Sequence, residues 1–293
     1  MKNAKEYTRS DLAVEADRRK RQETEILSRK EWTSGRAKIT EMVLKNRENN
    51  EEKRYTTFSY DRLWEIEGEE FERVSTLIAR EIRRFTRALS GKEINNDFCI
   101  LVAGLGNLDI TADSVGPLTA KKITVTRHLR NMAPQIYEDL GVCEISAFLP
   151  GVLGQTGIET LELIRGAVEN SEPDIVIAVD ALAARSCERL ATTVQLSDSG
   201  INPGSGIGNL RKAISYETLG VPVISLGVPT VVDSSTLVYE ALMKAGIDDV
   251  GEDLRSVLEN GKSFFVTPKE SDVISDGIST ILAESITRAF TVS

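Results

Sequence analysis

The chain has 293 residues, 41% of them hydrophobic, and a formal net charge of -9. That length suits one large domain or two small ones, with ample apolar material for a core. The acidic balance gives no basis for nucleic-acid binding, and no run approaches the roughly 20 apolar residues of a membrane span.

Three scattered cysteines without CxxC spacing fit a reduced intracellular compartment better than a disulfide framework. The single histidine, His128, rules out a metal site built from several imidazoles. At the end of a predicted helix it reads as a solvated or capping side chain. Residues 1–30 are charged throughout and lack the apolar core of a secretory signal, so the chain reads as cytoplasmic.

Asp17 to Arg54 is rich in charged and amide residues and is expected to be exposed helix plus linker. This divides the chain into an N-terminal segment, 1–50, and an α/β domain, 51–293. Phe71, Val74, Leu77, Ile78, Ile82, Phe85 and Leu89 recur at helical spacing, and Ser90-Gly91 ends that helix. A strand follows at 97–103, then a turn and a helix over 114–128. A strand at 143–148, a helix over 156–170, a strand at 175–179 and a short helix over 183–190 come next. The series ends with strands at 192–196 and 221–227, a helix from Asp233, a short strand at 263–267 and a helix over 268–290. Apolar strands alternating with helices predict a three-layer α/β fold: a mostly parallel or mixed twisted sheet with helices on both faces.

Two aspartates stand just past apolar runs, where open α/β sheets collect their chemistry. The run from Phe98 to Ala103 leads through Gly104-Leu105-Gly106-Asn107 to Asp113, and the run from Ile175 to Val179 leads straight into Asp180. The glycine pattern lacks the third glycine and the later acid of a dinucleotide fingerprint. Asp113 can instead be a helix N-cap. Asp180 is expected to be partly buried and so requires a partner, a metal or a proton; Arg185 is the candidate ion-pair partner. The stretch 198–209 is dense in glycine and can present backbone N–H groups to an anion or a peptide carbonyl. Gly106, Asn107, Gly204, Ser205 and Gly206 are accordingly candidate substrate-binding or oxyanion residues. Glu159 and Asp233 read as helix-start acids.

Taken together, Asp11-Leu12-Ala13-Val14-Glu15-Ala16, Gly104–Asn107, Thr111–Pro117 and Val125–Leu129 resemble the germination protease family of endospore-forming bacteria. So do Pro150–Val152 with Thr156–Thr160, Ala178–Arg185, the glycine-rich stretch with Gly227–Asp233, and Phe265–Glu270. The match covers most of 97–293 in order and spacing; between about Asp17 and Asn95 the chain is shorter and matches little. The resemblance implies an endopeptidase of the spore core that degrades small acid-soluble spore proteins during germination. It implies an inactive precursor that processes itself, losing a piece from Met1 to about Ser10, and a homotetramer. It also implies an atypical aspartic mechanism on Asp113 and Asp180 with no cofactor and no metal. The family's fold is similar to that of hydrogenase maturation proteases, whose acids in the same two turns bind nickel.

Neighbouring carboxylates do not both ionise cheaply, so one retains its proton while the other acts as base. Two alternatives use the same residues. In one, a metal-dependent peptidase holds its metal on Asp113 and Asp180; in the other, a non-catalytic protein binds an anion or a peptide at the glycine-rich loop.

Overall fold

Nine strands form one mixed sheet in the computed structural model, which describes residues 10–15, 24–204, 211–247, 251–260 and 264–292. The strands are β1 (Thr24–Ser34), β2 (Ala37–Asn46), β3 (Glu52–Ser59), β4 (Cys99–Gly104), β5 (Glu144–Phe148), β6 (Ile175–Ala184), β7 (Thr193–Ser197), β8 (Val223–Asp233) and β9 (Phe265–Val266). Their order is β1-β2-β3-β7-β8-β6-β4-β5, with β9 on β8. The pairs β4–β5, β4–β6 and β6–β8 are parallel and the remainder antiparallel. The helices are α1 (Gly68–Ser90), α2 (Val115–Lys122), α3 (Arg127–Met132), α4 (Pro134–Leu140), α5 (Leu153–Thr156), α6 (Thr160–Ser171), α7 (Tyr216–Leu219), α8 (Ser234–Lys244), α9 (Glu252–Asn260) and α10 (Ser271–Ala289). None of them is long and apolar enough to cross a membrane.

The alternation of side chains along β6 sorts the core. Ile175, Ile177 and Val179 pack with Ile78, Ile82 and Phe85 of α1 and Ile278, Leu282 and Ile286 of α10. Val176 and Ala178 pack with Leu161, Ile164 and Val168 of α6. A strand covered on both faces must be apolar at every position, which is why this run is so easily read. Each such aliphatic side chain contributes about 1.5–3 kcal/mol on burial. Helix α1 buries the predicted stripe and stops at Gly91, whose positive φ of 64° lets its N–H reach Arg87 O at 3.1 Å.

Residues 24–59 correct the expectation of exposed helix plus linker. They form β1, β2 and β3, turned at Gly35 (φ 59°) and Asn50 (φ 58°). Charged residues fill the exposed positions, so the period of two is masked, yet Ala37 and Ile39 are buried either side of exposed Lys38. Strand β3 pairs with β7 from Tyr55↔Ser197 to Ser59↔Thr193, which attaches the antiparallel sheet to the parallel one. The boundary drawn near residue 50 falls in the turn between β2 and β3.

Two predicted helices are broken, and a third does not form. The helix over 114–128 ends at Lys122, because Thr126 bonds to β5: its N–H donates to Ile145 O at 2.9 Å and its Oγ1 to Cys143 O at 2.6 Å. The helix over 156–170 divides at Gly157 (φ 70°). The short helix over 183–190 gives way to strand through Ala184 and a 3-10 turn, Cys187–Arg189. Pairing of Ala181–Ala184 with β8 outweighs alanine's helical preference.

The seat of α2 is testable. A Cβ at Gly116 would stand 2.3 Å from Leu105 O and 2.4 Å from Val179 O, whereas one at Gly166 of α6 would meet nothing within 4 Å. Gly116→Ala is expected to destabilise the fold by about 1–3 kcal/mol through overpacking. Gly166→Ala should be neutral or stabilising by up to about 1 kcal/mol. Urea unfolding of the two variants checks the contrast.

Candidate active site

Strand β6 outlasts its neighbour β4, and this places Asp180. Gly104 is paired with Val179, so Asp180 lies level with Leu105, the first residue beyond β4. Leu105 N–H donates to Val179 O at 2.8 Å. The chain then turns away through Gly106, whose φ of 113° and lack of a side chain admit Asp113: a Cβ there would lie 2.9 Å from Asp113 Oδ1. Asp113 ends the 3-10 turn Thr111–Asp113 just ahead of α2. That turn is pinned from two sides, by Thr230 Oγ1 donating to Ala112 O at 2.6 Å and Ser275 Oγ donating to Thr111 O at 3.1 Å.

The two carboxyl groups therefore lie just past the end of β4 and beside the middle of β6, near enough for their charges to interact, and their environments differ. Asp180 is buried, and its Oδ1 accepts from Ala181 N–H at 2.9 Å. Burial, then the neighbouring charge of Asp113, and further the charge of Asp11, push its acid well above the ordinary value; the Ala181 N–H and Arg211 oppose this. Asp113 is half-buried and accepts from Asn107 N–H at 2.8 Å. Burial raises its acid too, against the Asn107 N–H and Arg211. Arg211 thus supplies positive charge within reach of both.

Other candidates sort differently. The N-cap position of α2 is Ser114, not Asp113, whose carboxylate holds the Asn107 turn instead. The Asp180–Arg185 ion pair does not form: the strand carries Arg185 five residues onward to line a cavity of about 340 Å³ with Tyr239 and Met243. Asn107 N–H is committed to Asp113. Gly204 lies in a turn with φ 71°, while Ser205 and Gly206 fall outside the described residues. The glycine-rich stretch is closed at its base by Ile201 and Ile214, bonded at 2.9 and 2.8 Å. Exposed Asp109 accepts from Gln155 Nε2 at 3.1 Å. Glu159 occupies the N-cap position of α6. Asp233 caps α8 through Ser235 N–H at 2.9 Å. His128 is exposed in the first turn of α3, not at a helix end. Carboxylate oxygens suit hard cations, but among the described residues no group of three or more His, Cys, Asp or Glu side chains is placed to hold one.

One part of the site went unrecognised. Ser10–Glu15 runs along the edge of β6 that β4 leaves open, with Asp11 N–H donating to Ala183 O at 3.0 Å. The available signal was an apolar triplet, Leu12-Ala13-Val14, bracketed by two acids ahead of a charged run. Beside it lies a polar cavity of about 210 Å³, lined by Asp11, Lys53, Tyr55, Gln195, Ser197 and Gly227 among others. Gly227 pairs with Asp180 in the sheet.

A family model described as germination protease matches residues 3–256. The chain is 48% identical over 191 residues to the germination protease of Bacillus subtilis, covering 65% of this chain and 51% of that protein. It is 43% identical over 217 residues to that of Priestia megaterium, covering 72% and 58%. It is 38% identical over 254 residues to that of Clostridium acetobutylicum, covering 79% and 76%. The chain thus spans little more than half the length of the first two relatives.

The burial of Asp180 predicts a pH dependence. An acid raised in the folded state favours folding below its unfolded value of 3.8 and loses that contribution as pH rises through the folded value. Asp180→Asn removes this loss while its amide oxygen can still accept from Ala181 N–H. The variant's stability relative to the parent is therefore expected to increase as pH rises above about 4. Thermal unfolding midpoints of both proteins across pH 3 to 8 check this.

Proposed function

This chain belongs to the germination protease family, and we propose on that footing that it is an endopeptidase whose catalytic pair is Asp113 and Asp180. The observation that carries the reading is the approach of two carboxyl groups, one buried and both raised, where β4 ends beside β6. Such a pair holds one proton between its members and titrates as a unit. The deeper burial of Asp180 supports its holding that proton for most of the time. Asp113, steadied by Asn107 N–H, is the ionised partner.

In this mechanism Asp113 draws a proton from a water that attacks the scissile carbonyl. Asp180 donates a hydrogen bond to the carbonyl oxygen and later helps protonate the leaving amine. With Asn107 N–H already engaged, the oxyanion role falls to backbone N–H groups at Gly106 and in the stretch 204–206, with Arg211 adding positive charge.

The substrates are small acid-soluble spore proteins, and the setting is the spore core, as the family implies. The chain is made as a precursor that removes Met1 to about Ser10 by its own activity, and it assembles as a homotetramer. The bonding of Asp11 to Ala183, three residues past Asp180, supports self-processing. Helices α1 and α10 on one face of β6 and α6 on the other support a three-layer fold similar to hydrogenase maturation proteases.

Asp113→Asn and Asp180→Asn are each expected to lower cleavage of an acid-soluble spore protein by at least about 100-fold, with circular dichroism unchanged. Chelators should have no effect on the parent. Near-normal cleavage by either variant refutes the pair, and loss of cleavage on chelation, restored by added metal, assigns the aspartates to a metal instead.

A further inference from the structure

Glu15 is one of the few buried carboxylates outside the aspartate pair, and the partners that bond it donate or are positively charged. Its Oε2 accepts from Arg185 N–H at 2.7 Å and from Ser10 Oγ at 2.6 Å. Its Oε1 accepts from Ser186 N–H at 3.1 Å and lies 3.4 Å from Arg189 Nε. The side chain is 4% exposed. Four residues earlier, Asp11 joins the open edge of β6 through its own N–H and through Ala183 N–H, which donates to Asp11 Oδ2 at 2.9 Å. Leu12 between them is fully buried against Leu182, Ala184 and Val232. The segment is thus fixed to the sheet edge by one backbone bond at Asp11, then turns through a 3-10 helix, Ala13–Glu15, which sets the Leu12 and Glu15 side chains into two neighbouring pockets.

We propose that the Arg185 and Ser186 N–H groups with Arg189 form a substrate subsite, which takes an acidic side chain of a polypeptide that makes the same turn and is occupied in this chain by its own Glu15. The word substrate rests on the peptidase reading above; the recognition does not. Each carboxylate oxygen takes one backbone N–H, so the site needs two acceptors. Glutamine offers one acceptor and would turn its NH₂ against the other donor. The two N–H groups belong to the end of β6 and stay there whichever chain supplies the acid. The apolar pocket of Leu12 sets the register, and the preferred segment carries a large apolar residue three positions before the acid.

The test uses the full chain with Glu15→Gln and two labelled peptides with amidated C-termini, Ser-Asp-Leu-Ala-Val-Glu and the same sequence ending in Gln. Fluorescence anisotropy is expected to show the Glu peptide binding about 10-fold tighter or more, the usual range for a charged hydrogen-bonded group. Adding Arg189→Gln should shrink that ratio. Equal binding of the two peptides, or no binding of either, overturns the proposal. Should Glu15→Gln prevent folding, Ser10→Ala, which removes a hydrogen bond to Glu15 but no part of the subsite, takes the same two peptides, with equal binding again decisive. Discrimination without any cleavage would remove the peptidase reading and leave the subsite. Cleavage without discrimination would do the reverse.

Discussion

Gly116 has no room for a side chain, and the site is built on that fact. Its α-carbon is pressed between the backbone of Leu105 and that of Val179, so the first turn of α2 rests on the end of β4 and the middle of adjacent β6. Gly104 gives way to the same helix from the other side, with Gly116 O 2.3 Å from where its Cβ would be. With α2 held there, the loop between β4 and α2 has to fold back on itself. Gly106 is the residue at which Asp113 can approach. Three glycines in thirteen residues therefore convert a parallel pair of strands into a holder for one aspartate beside another. The contact is between backbone atoms, so it fixes position more tightly than a packed side chain, which can change rotamer.

Holding the two acids together works against folding. Burial of Asp180 disfavours its ionised form, and Asp113 and Asp11 add like charge. The surrounding structure bears the cost. On one face of β6, α1 and α10 bury a large aliphatic cluster, and α6 buries another on the opposite face. Thr230 and Ser275, from β8 and α10, tie down the turn that carries Asp113. Elements far apart in the chain thus hold the pair, and a small shift of any of them changes the separation on which proton sharing depends. Unfavourable electrostatics kept in place by an over-determined scaffold is characteristic of sites that do chemistry.

The parallel half of the sheet was legible because strands buried on both faces cannot conceal their apolar runs. Ile175–Val179 is such a run, and the aspartate at its end stood out for the same reason. The antiparallel half was not legible. In β1 and β2, lysines, arginines and glutamates fill the exposed positions, and a hairpin that buries one face offers few strong apolar residues to count. The extension of β6 past Asp180 was hidden by Ala181-Leu182-Ala183-Ala184, which on propensity alone belongs in a helix. That error carried a second one with it. A helix there would have brought Arg185 back near Asp180, while a strand takes it about 17 Å onward at 3.3 Å per residue. Asp11 and Glu15 were visible only as letters within a motif, since nothing local reveals that a segment near the N-terminus completes a sheet edge some 170 residues away.

That edge links the fold to its regulation. A strand left open beyond Asp180 offers unpaired backbone groups, and in this chain Asp11 meets them at Ala183 before Ala13–Glu15 turns away as a 3-10 helix. An attached segment acts at an effective concentration in the millimolar range, so it outcompetes a free peptide of similar affinity. Contacts made by β6 with Asp11, Leu12 and Glu15 accordingly have opposite consequences depending on the donor chain. On the proposed reading, from within the molecule they cover the surface beside the aspartate pair, and from another molecule they align a polypeptide with it. Release of that segment from the edge is then sufficient to expose Ala183 N–H, the Leu12 pocket and the carboxylate site together, because one short stretch of chain covers all three.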